Sequence, residues 1–226
     1  MHVTIGVLIY KSRRWLDFVE RNLREVKNET TFDIRVIGCD ACPELVSSGR
    51  LSVDYRNVDP NEYYLNRVYR CWNEAVFSAS TEVVVLVNSD MAFSDDWLDS
   101  LVRCHQELPM SIPTSLLCES DRMPSAWPEY RLALGTTPES FLRNVWYAHA
   151  NPLRIGEAGN RRPGRLYSPI LFTKTGFMAA GGFPHGNPGG TPGDRYLVDS
   201  MNRMGYTHLT CMDSVVYHIQ AGESEG

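Results

Sequence analysis

The sequence predicts an α/β protein in which an open, mostly parallel, Rossmann-like sheet is flanked by helices. Three observations carry that prediction. Val3 to Tyr10 is a strand-length apolar run without polar alternation, as expected of a strand buried on both faces. Apolar spacing then switches between strand and helix in the order strand, helix, strand, strand, helix, strand. At 226 residues, 43% hydrophobic and 22% charged, the chain can bury a full core in one domain, which excludes wholesale disorder and low-complexity fibres.

The elements follow in order. After the first strand, Leu16, Val19, Leu23 and Val26 recur at helical spacing, with Asp17, Glu20, Arg21, Arg24 and Glu25 on the other face and Ser12 as cap. Phe32 to Cys39 reads as a second strand and Leu51 to Val58 as a third. Val68, Trp72, Ala75, Val76 and Ala79 mark a helix between Glu62 and Ala79, and Glu82 to Val87 a fourth buried strand. Ser94-Asp95-Asp96 caps a helix running to about Gln106. From Pro109 to Pro169 prolines multiply and the pattern weakens, so an irregular acceptor-side subdomain is expected, with one helix around Glu139 to Ala148. Leu171 to Met178 reads as a strand, Asp194 to Met204 as a helix ended by Gly205, and Val215 to His218 as the last strand.

Composition narrows the function. With 22 basic and 27 acidic residues the net charge is −5, which argues against general nucleic-acid or membrane-surface binding, although a local basic patch can still hold a phosphate. Apolar runs stop at five or six residues, far short of the ~20 needed to span a bilayer, and the N-terminus has no secretory leader pattern, so a cytoplasmic location is expected. Six dilute cysteines fit a reducing compartment. Cys39 and Cys42 have the spacing of half a zinc site or of a redox dithiol, but no second pair closes a tetrahedron, and packing is the simpler reading.

In open α/β sheets ligands bind beyond the carboxyl ends of the strands. Those ends read Tyr10-Lys11-Ser12, Asp40 and Asn88-Ser89-Asp90. The last is an oxygen-rich turn fed by a buried strand, a setting that suits a hard divalent cation bridging substrate phosphates. Arg154, Arg161, Arg162 and Arg165 cluster around Pro163-Gly164, either as a solvated loop or as a segment that contacts phosphate or acceptor. Trp97, Trp127 and Trp146 are either core or platforms for sugar rings, and core is the commoner fate of tryptophan.

These residues resemble the GT-A glycosyltransferases, in particular the inverting, family 2-like enzymes. Val3 to Tyr10 with Trp15-Leu16 looks like the family's first strand and its tyrosine-bearing turn, which implies that Tyr10 lines the nucleotide base. Asn61, and more clearly Asn73-Glu74-Ala75 with Glu82 nine residues later, resembles the helix leading into the metal-binding strand, which assigns Asn73 to the donor site. Asn88-Ser89-Asp90 stands at the Asp-X-Asp position, with Asn in place of the first acid. Gly181-Gly182-Phe183, Gly193-Asp194 and Gly205-Tyr206 resemble the Gly-Gly-Phe, Glu-Asp and Gly-Tyr landmarks, with Gly193 replacing the usual Glu. His218, within Tyr217 to Gly222, resembles the late histidine that completes metal or diphosphate binding. Gly38-Cys39-Asp40 stands where the family carries paired acids, leaving Asp40 for the nucleotide. The resemblance covers residues 3 to 222, with 105 to 165 unmatched.

What the resemblance implies is a single GT-A domain over residues 1–226, with residues 1–104 as the nucleotide-sugar half and 105–226 as the acceptor half. It implies a hexosyltransferase-type reaction in which a monosaccharide moves from a UDP- or GDP-sugar to a hydroxyl with inversion. Asp90 and His218 would bind Mn2+ or Mg2+, Tyr10, Asp40, Asn73, Asn88 and Asp90 would contact the donor, and Asp194 would be the base, although its place at a helix start also suits a cap. Asp90, Asp194 and His218 are expected within a few ångströms of one another. The acceptor stays open among glycan, protein, small molecule and modified nucleic acid. Two rivals remain: a non-catalytic nucleotide-sugar-binding module, suggested by Asn88 and Gly193, and a sugar-phosphate nucleotidyltransferase, disfavoured because the first strand lacks a glycine-rich phosphate loop.

Overall fold

A computed structural model describes residues 1–56, 59, 61–120 and 127–220. Nine strands form one sheet: β1 (His2–Tyr10), β2 (Thr31–Cys39), β3 (Val53–Tyr55), β4 (Val83–Asn88), β5 (Met91–Phe93), β6 (Ser111–Glu119), β7 (Arg161–Pro163), β8 (Ile170–Thr173) and β9 (Thr207–His218). The helices are α1 (Arg13–Glu25), the short α2 (Pro43–Val46), α3 (Tyr64–Phe77), α4 (Trp97–Glu107), α5 (Arg143–Gly156), α6 (Lys174–Ala179) and α7 (Gly193–Arg203). Strand order is β3-β2-β1-β4-β8-β6-β9-β5, with β7 also on β9.

The parallel arrangement read from the sequence holds for β3-β2-β1-β4. Beyond β4 the sheet is mixed: β8 runs antiparallel to β4 and β6, while β6 and β9 are parallel. Thr173 caps α6 by accepting from the Gly176 amide, so the segment expected to be one strand, Leu171 to Met178, is a four-residue strand followed by a helix.

The largest departure lies in the region expected to be irregular. Residues Ser111–Glu119 form β6, a wholly buried strand inside the sheet. Pro113 disguises it, because proline removes a ladder donor and argues against a central strand. Here the β6–β8 ladder is confined to Thr114, so the missing N–H costs little. β9 is also longer than its apolar tail suggests. A register shift opposite Ser115 and Leu116 lets Met212, Asp213 and Ser214 interrupt the ladder, which breaks the alternation on which a strand reading depends. The third strand is shorter than expected, and residues 57–58 of that expectation lie outside the described residues, as do Pro124 and the 221–222 end of the C-terminal landmark.

Two apolar layers hold the sheet. One packs Trp15, Leu16, Val19 and Leu23 of α1 with Trp97 and Leu101 of α4 and Trp146 of α5, and the other packs Tyr69, Trp72 and Val76 of α3 with Phe177, Phe183, Leu197 and Met201. Each fully buried aliphatic or aromatic side chain contributes ~1.5–3 kcal/mol. Trp97 stacks on Phe93 with ring centroids 4.4 Å apart, and Trp146 donates its indole N–H to the Phe93 carbonyl at 3.2 Å. Both are core, not sugar platforms.

Candidate active site

The carboxyl ends of β1 and β4 open into a cleft of ≈ 270 Å³ lined by Leu8, Tyr10, Cys39, Tyr64, Arg67, Val68, Asn88, Ser89, Asp90, His218 and Gln220. β1 supplies Tyr10, the turn after β4 supplies Asn88 to Asp90, and β9 delivers His218, paired across the sheet with Met91 of β5 and Glu119 of β6. The structure therefore gathers Tyr10, Asn88, Asp90 and His218, four of the residues chosen from the sequence, in one place.

The floor of this cleft is a chain of three ionisable groups. His218 Nε2 lies 3.3 Å from Asp90 Oδ1, and its Nδ1 lies 3.4 Å from Glu119 Oε1. Glu119 is fully buried and Asp90 nearly so. Burial alone would lower the pKa of His218, but the two carboxylates outweigh it and hold the imidazole up at about 10. The main chain fastens the corner too, since Ile219 N donates to Asp90 O at 3.0 Å.

The corner fits a divalent cation in the chemistry of its donors. Asp90 Oδ1 and His218 Nε2, an ion pair at 3.3 Å, would become an oxygen and a nitrogen ligand once a cation displaced the Nε2 proton. Glu119 on the far ring nitrogen is the carboxylate–histidine support that fixes tautomer and ring orientation in metal sites. Among the described residues no group of three or more His, Cys, Asp or Glu is arranged as a full ligand set. Such a corner suits an ion that takes the rest of its shell from substrate phosphates and water.

The Tyr10 end of the cleft is cationic and aromatic. Lys11 Nζ lies 4.9 Å and Arg67 Cζ 5.9 Å from the Tyr10 ring centroid. Arg67, from α3, also pairs with Asp40, Nη1 to Oδ2 3.2 Å, and Asp40 sits in the left-handed region at φ 54°. Asp40 thus faces the cleft wall through Arg67.

Asn73 and Asp194 stand elsewhere. Asn73 spends both amide atoms on one residue: it accepts from Phe183 N at 2.8 Å and donates to Phe183 O at 3.0 Å. That clamp seats Phe183 against Tyr69, stacked at 5.4 Å with 2° between the ring planes. Asp194 opens α7 and is not among the residues lining the cleft, so of the three groups expected within a few ångströms of one another the cleft gathers Asp90 and His218 but not Asp194. Its Oδ1 accepts from its neighbour Arg195 N at 2.7 Å, and burial raises its pKa.

The helix start is capped from outside. The Tyr69 hydroxyl accepts the Gly193 N–H at 2.9 Å, while Pro192 at the N-cap offers no side-chain acceptor. A Cβ on Gly193 would run into the Tyr69 ring, so glycine here is the condition for that close approach. Burial, and then the nearby Asp194 charge, raise the pKa of Tyr69. α3 joins the two places, with Tyr64, Arg67 and Val68 on the cleft and Tyr69 on α7.

Sequence reasoning missed Glu119, Arg67, Tyr69 and Gln220. Glu119 was available to the strand-end rule, since it follows apolar Leu116-Leu117-Cys118, but Pro113 hid the strand. Arg67 and Tyr69 read as one polar and one apolar position of an amphipathic helix, and nothing local marks them. Of the four clustered arginines, Arg154 pairs with Asp96 at 2.6 Å and Arg161 with Glu107. All six cysteines are free thiols. Among the described residues no helix is long and apolar enough to cross a membrane.

No protein-family model and no curated protein matches the chain in sequence. Solved structures do match in three dimensions. A Pyrobaculum calidifontis mannosyltransferase in complex with GDP-Man and Mn2+ superposes with a TM-score of 0.62 at 17% identity, covering 96% of this chain and 56% of that one. S. aureus TarS 1-349 in complex with UDP-GlcNAc gives 0.59 at 11%, covering 96% and 58%. GalNAc-T7 with UDP, GalNAc and Mn2+ gives 0.64 at 10%, covering 96% and 44%. The chain spans about half the length of these structures. At such identities the likeness speaks for architecture, and the architecture is the GT-A glycosyltransferase fold.

Proposed function

We propose that the protein transfers a monosaccharide from a nucleotide-diphosphate sugar, UDP- or GDP-linked, to an acceptor hydroxyl with inversion, using Mn2+ or Mg2+ held by Asp90 and His218. The observation that supports this most is the Asp90–His218–Glu119 corner at the floor of the strand-end cleft. Bound there, the ion would supply Lewis-acid compensation for the charge of the departing diphosphate. Glu119 accepts the Nδ1 proton of His218, so that an ion would have to displace only the Nε2 proton, on the side of Asp90 and the cleft. Asn88, an amide where a second acid would stand, hydrogen-bonds ribose or bound water without adding charge. Tyr10 packs against the nucleotide base, with Lys11 and Arg67 beside it and Asp40 reaching the nucleoside from the Arg67 side.

Asp194 takes the acceptor proton. An inverting base must reach the acceptor hydroxyl on the face of the anomeric carbon away from the diphosphate, and the role is assigned to Asp194 at the start of α7. Tyr69 satisfies the helix terminus, which weakens the cap reading and leaves a carboxylate of raised pKa as a proton acceptor. On this reading residues 1–104 supply most of the donor site, completed by His218 and Gln220, and the remainder of 105–226 faces the acceptor.

A thermal-shift panel of UDP- and GDP-sugars with and without Mn2+, paired with an assay of nucleoside diphosphate release, tests the proposal. A cognate donor at ~100 times its Kd adds ~2.7 kcal/mol of stability. Stabilisation that needs Mn2+, with slow release of nucleoside diphosphate, is the expected result. Stabilisation without turnover would point to the binding module, and no response to any nucleotide sugar would overturn the assignment.

A further inference from the structure

The arginine cluster around Pro163-Gly164 divides in two. Arg154 and Arg161 are consumed by the carboxylates of Asp96 and Glu107. Arg162 and Arg165 instead converge on one indole, each with its guanidinium carbon 5.4 Å from the Trp127 ring. Arg162 has one long ion pair, to Glu129 at 3.5 Å, and Arg165 is exposed and makes no ion pair among the described residues. In a chain of net charge −5, two like charges held on one ring three residues apart are a local excess of positive charge.

The segment that carries them is built, not a solvated loop. Residues Arg161, Arg162 and Pro163 pair with Cys211, Thr210 and Leu209 of β9. Gly164 N donates to His208 O at 2.9 Å, and Gly164 lies so close to the His208 ring that no Cβ fits. His208 Nε2 donates to Leu166 O at 3.0 Å, and Tyr167 stacks on the same ring at 5.5 Å. Burial holds the pKa of His208 down to about 4, so this clamp is neutral at physiological pH. The guanidinium pair is therefore anchored at the backbone while its charged ends stay accessible.

The segment that carries the pair lies beside α7. Pro163, Gly164 and Tyr167, which flank the two arginines, line a shallow cleft together with Arg195 and Asp199 of α7. A ligand held at the pair and along this cleft lies next to the helix that Asp194 opens.

We infer that Arg162, Trp127 and Arg165 form an anion site on the acceptor side, and that the acceptor carries a phosphate group. The inference rests on the glycosyl-transfer reading for its word "acceptor", but not for the anion site itself. Two guanidinium forks match phosphate geometry better than point charges would. A nucleic acid is disfavoured, because base stacking needs an open aromatic face and this indole already carries two guanidinium groups.

The test follows the indole N–H resonance of Trp127 in 15N-labelled protein, identified with Trp127→Phe, during titration with inorganic phosphate, with glycerol 1-phosphate and with neutral glycerol. A saturable shift with both phosphates and none with glycerol is expected, weakened at least ~10-fold in R162Q/R165Q and in R165Q alone, and unchanged in R21Q/R24Q, which removes the same charge from α1. Arg165 is exposed and makes no ion pair among the described residues, so R165Q keeps the test valid should the double variant unfold. An absent shift, an equal shift in both double variants, or tighter binding of a single-stranded oligonucleotide than of glycerol 1-phosphate would overturn the inference. Nucleoside diphosphate release from UDP- and GDP-sugars, run beside it, separates the two failures. Release without a phosphate-dependent shift sinks the anion site alone, whereas a shift without release leaves an anion site and removes its role in acceptor binding.

Discussion

The Asp90 corner and the start of α7 are built on opposite principles. At the corner, Asp90, His218 and Glu119 satisfy one another in a buried chain, and every distance is short enough for that chain to hold without a ligand. At α7 the carboxylate of Asp194 accepts from amides of its own helix start while Tyr69, from another helix, takes the Gly193 N–H. On the proposed function the first region would hold charge in place and the second would leave a carboxylate ready to accept a proton, since metal ligands gain from a fixed outer shell and a base gains from a pKa moved toward neutrality.

The comparison is broken most forcefully at Asp194. Asp194→Asn should lower transfer by ~10²–10⁴-fold and leave nucleotide affinity intact, as a titration of the nucleotide beside the rate assay would show. Parental turnover in that variant would remove the base assignment. The parent's rate should also fall with decreasing pH through a midpoint above the usual aspartate range, because burial raises this pKa. The sign for stability is opposite. A carboxyl whose folded pKa is raised contributes stability at low pH that is lost as pH rises through the raised value, so Asn should melt higher than Asp at pH 7, with the gap closing below about pH 4.

Smaller effects sharpen the same contrast. Glu119→Gln should weaken Mn2+-dependent donor binding ~10–100-fold while sparing metal-free nucleotide binding, readable by calorimetry with and without chelator. Equal losses in both conditions would mean that Glu119 only supports the fold. Gly193→Ala should cost ~1–3 kcal/mol in urea denaturation, because the new methyl meets the Tyr69 ring. Tyr69→Phe keeps the stack on Phe183 but removes the acceptor of the Gly193 N–H, for a loss of ~1 kcal/mol and a reduced rate without a change in donor affinity.

Legibility in the sequence followed the physics of local signals. β1, β2, β4 and the helices α1, α3 and α7 were readable because unbroken apolar runs and three- and four-residue spacing are properties of short windows. The strand-end rule found Tyr10, Asn88 and Asp90, and the family resemblance pointed to His218, all of which line the cleft. What stayed hidden depends on partners far along the chain. β6 was masked by Pro113, and Glu119 becomes informative only beside His218, ninety-nine residues away. Tyr69 and Gly193 explain each other across 124 residues, which no local pattern records. Asn73 shows the reverse hazard, since a landmark position is spent on holding the Phe183 backbone.

The central claim is that Asp90 and His218 hold a divalent ion that the donor's diphosphate completes, and calorimetry of UDP and GDP binding in Mn2+ and in chelator tests it most directly. The account predicts that Mn2+ strengthens binding of one nucleoside diphosphate at least ~10-fold and that His218→Ala removes this gain while leaving the weak, metal-free binding in place. Equal affinity in Mn2+ and chelator, or an undiminished metal effect in His218→Ala, would contradict it.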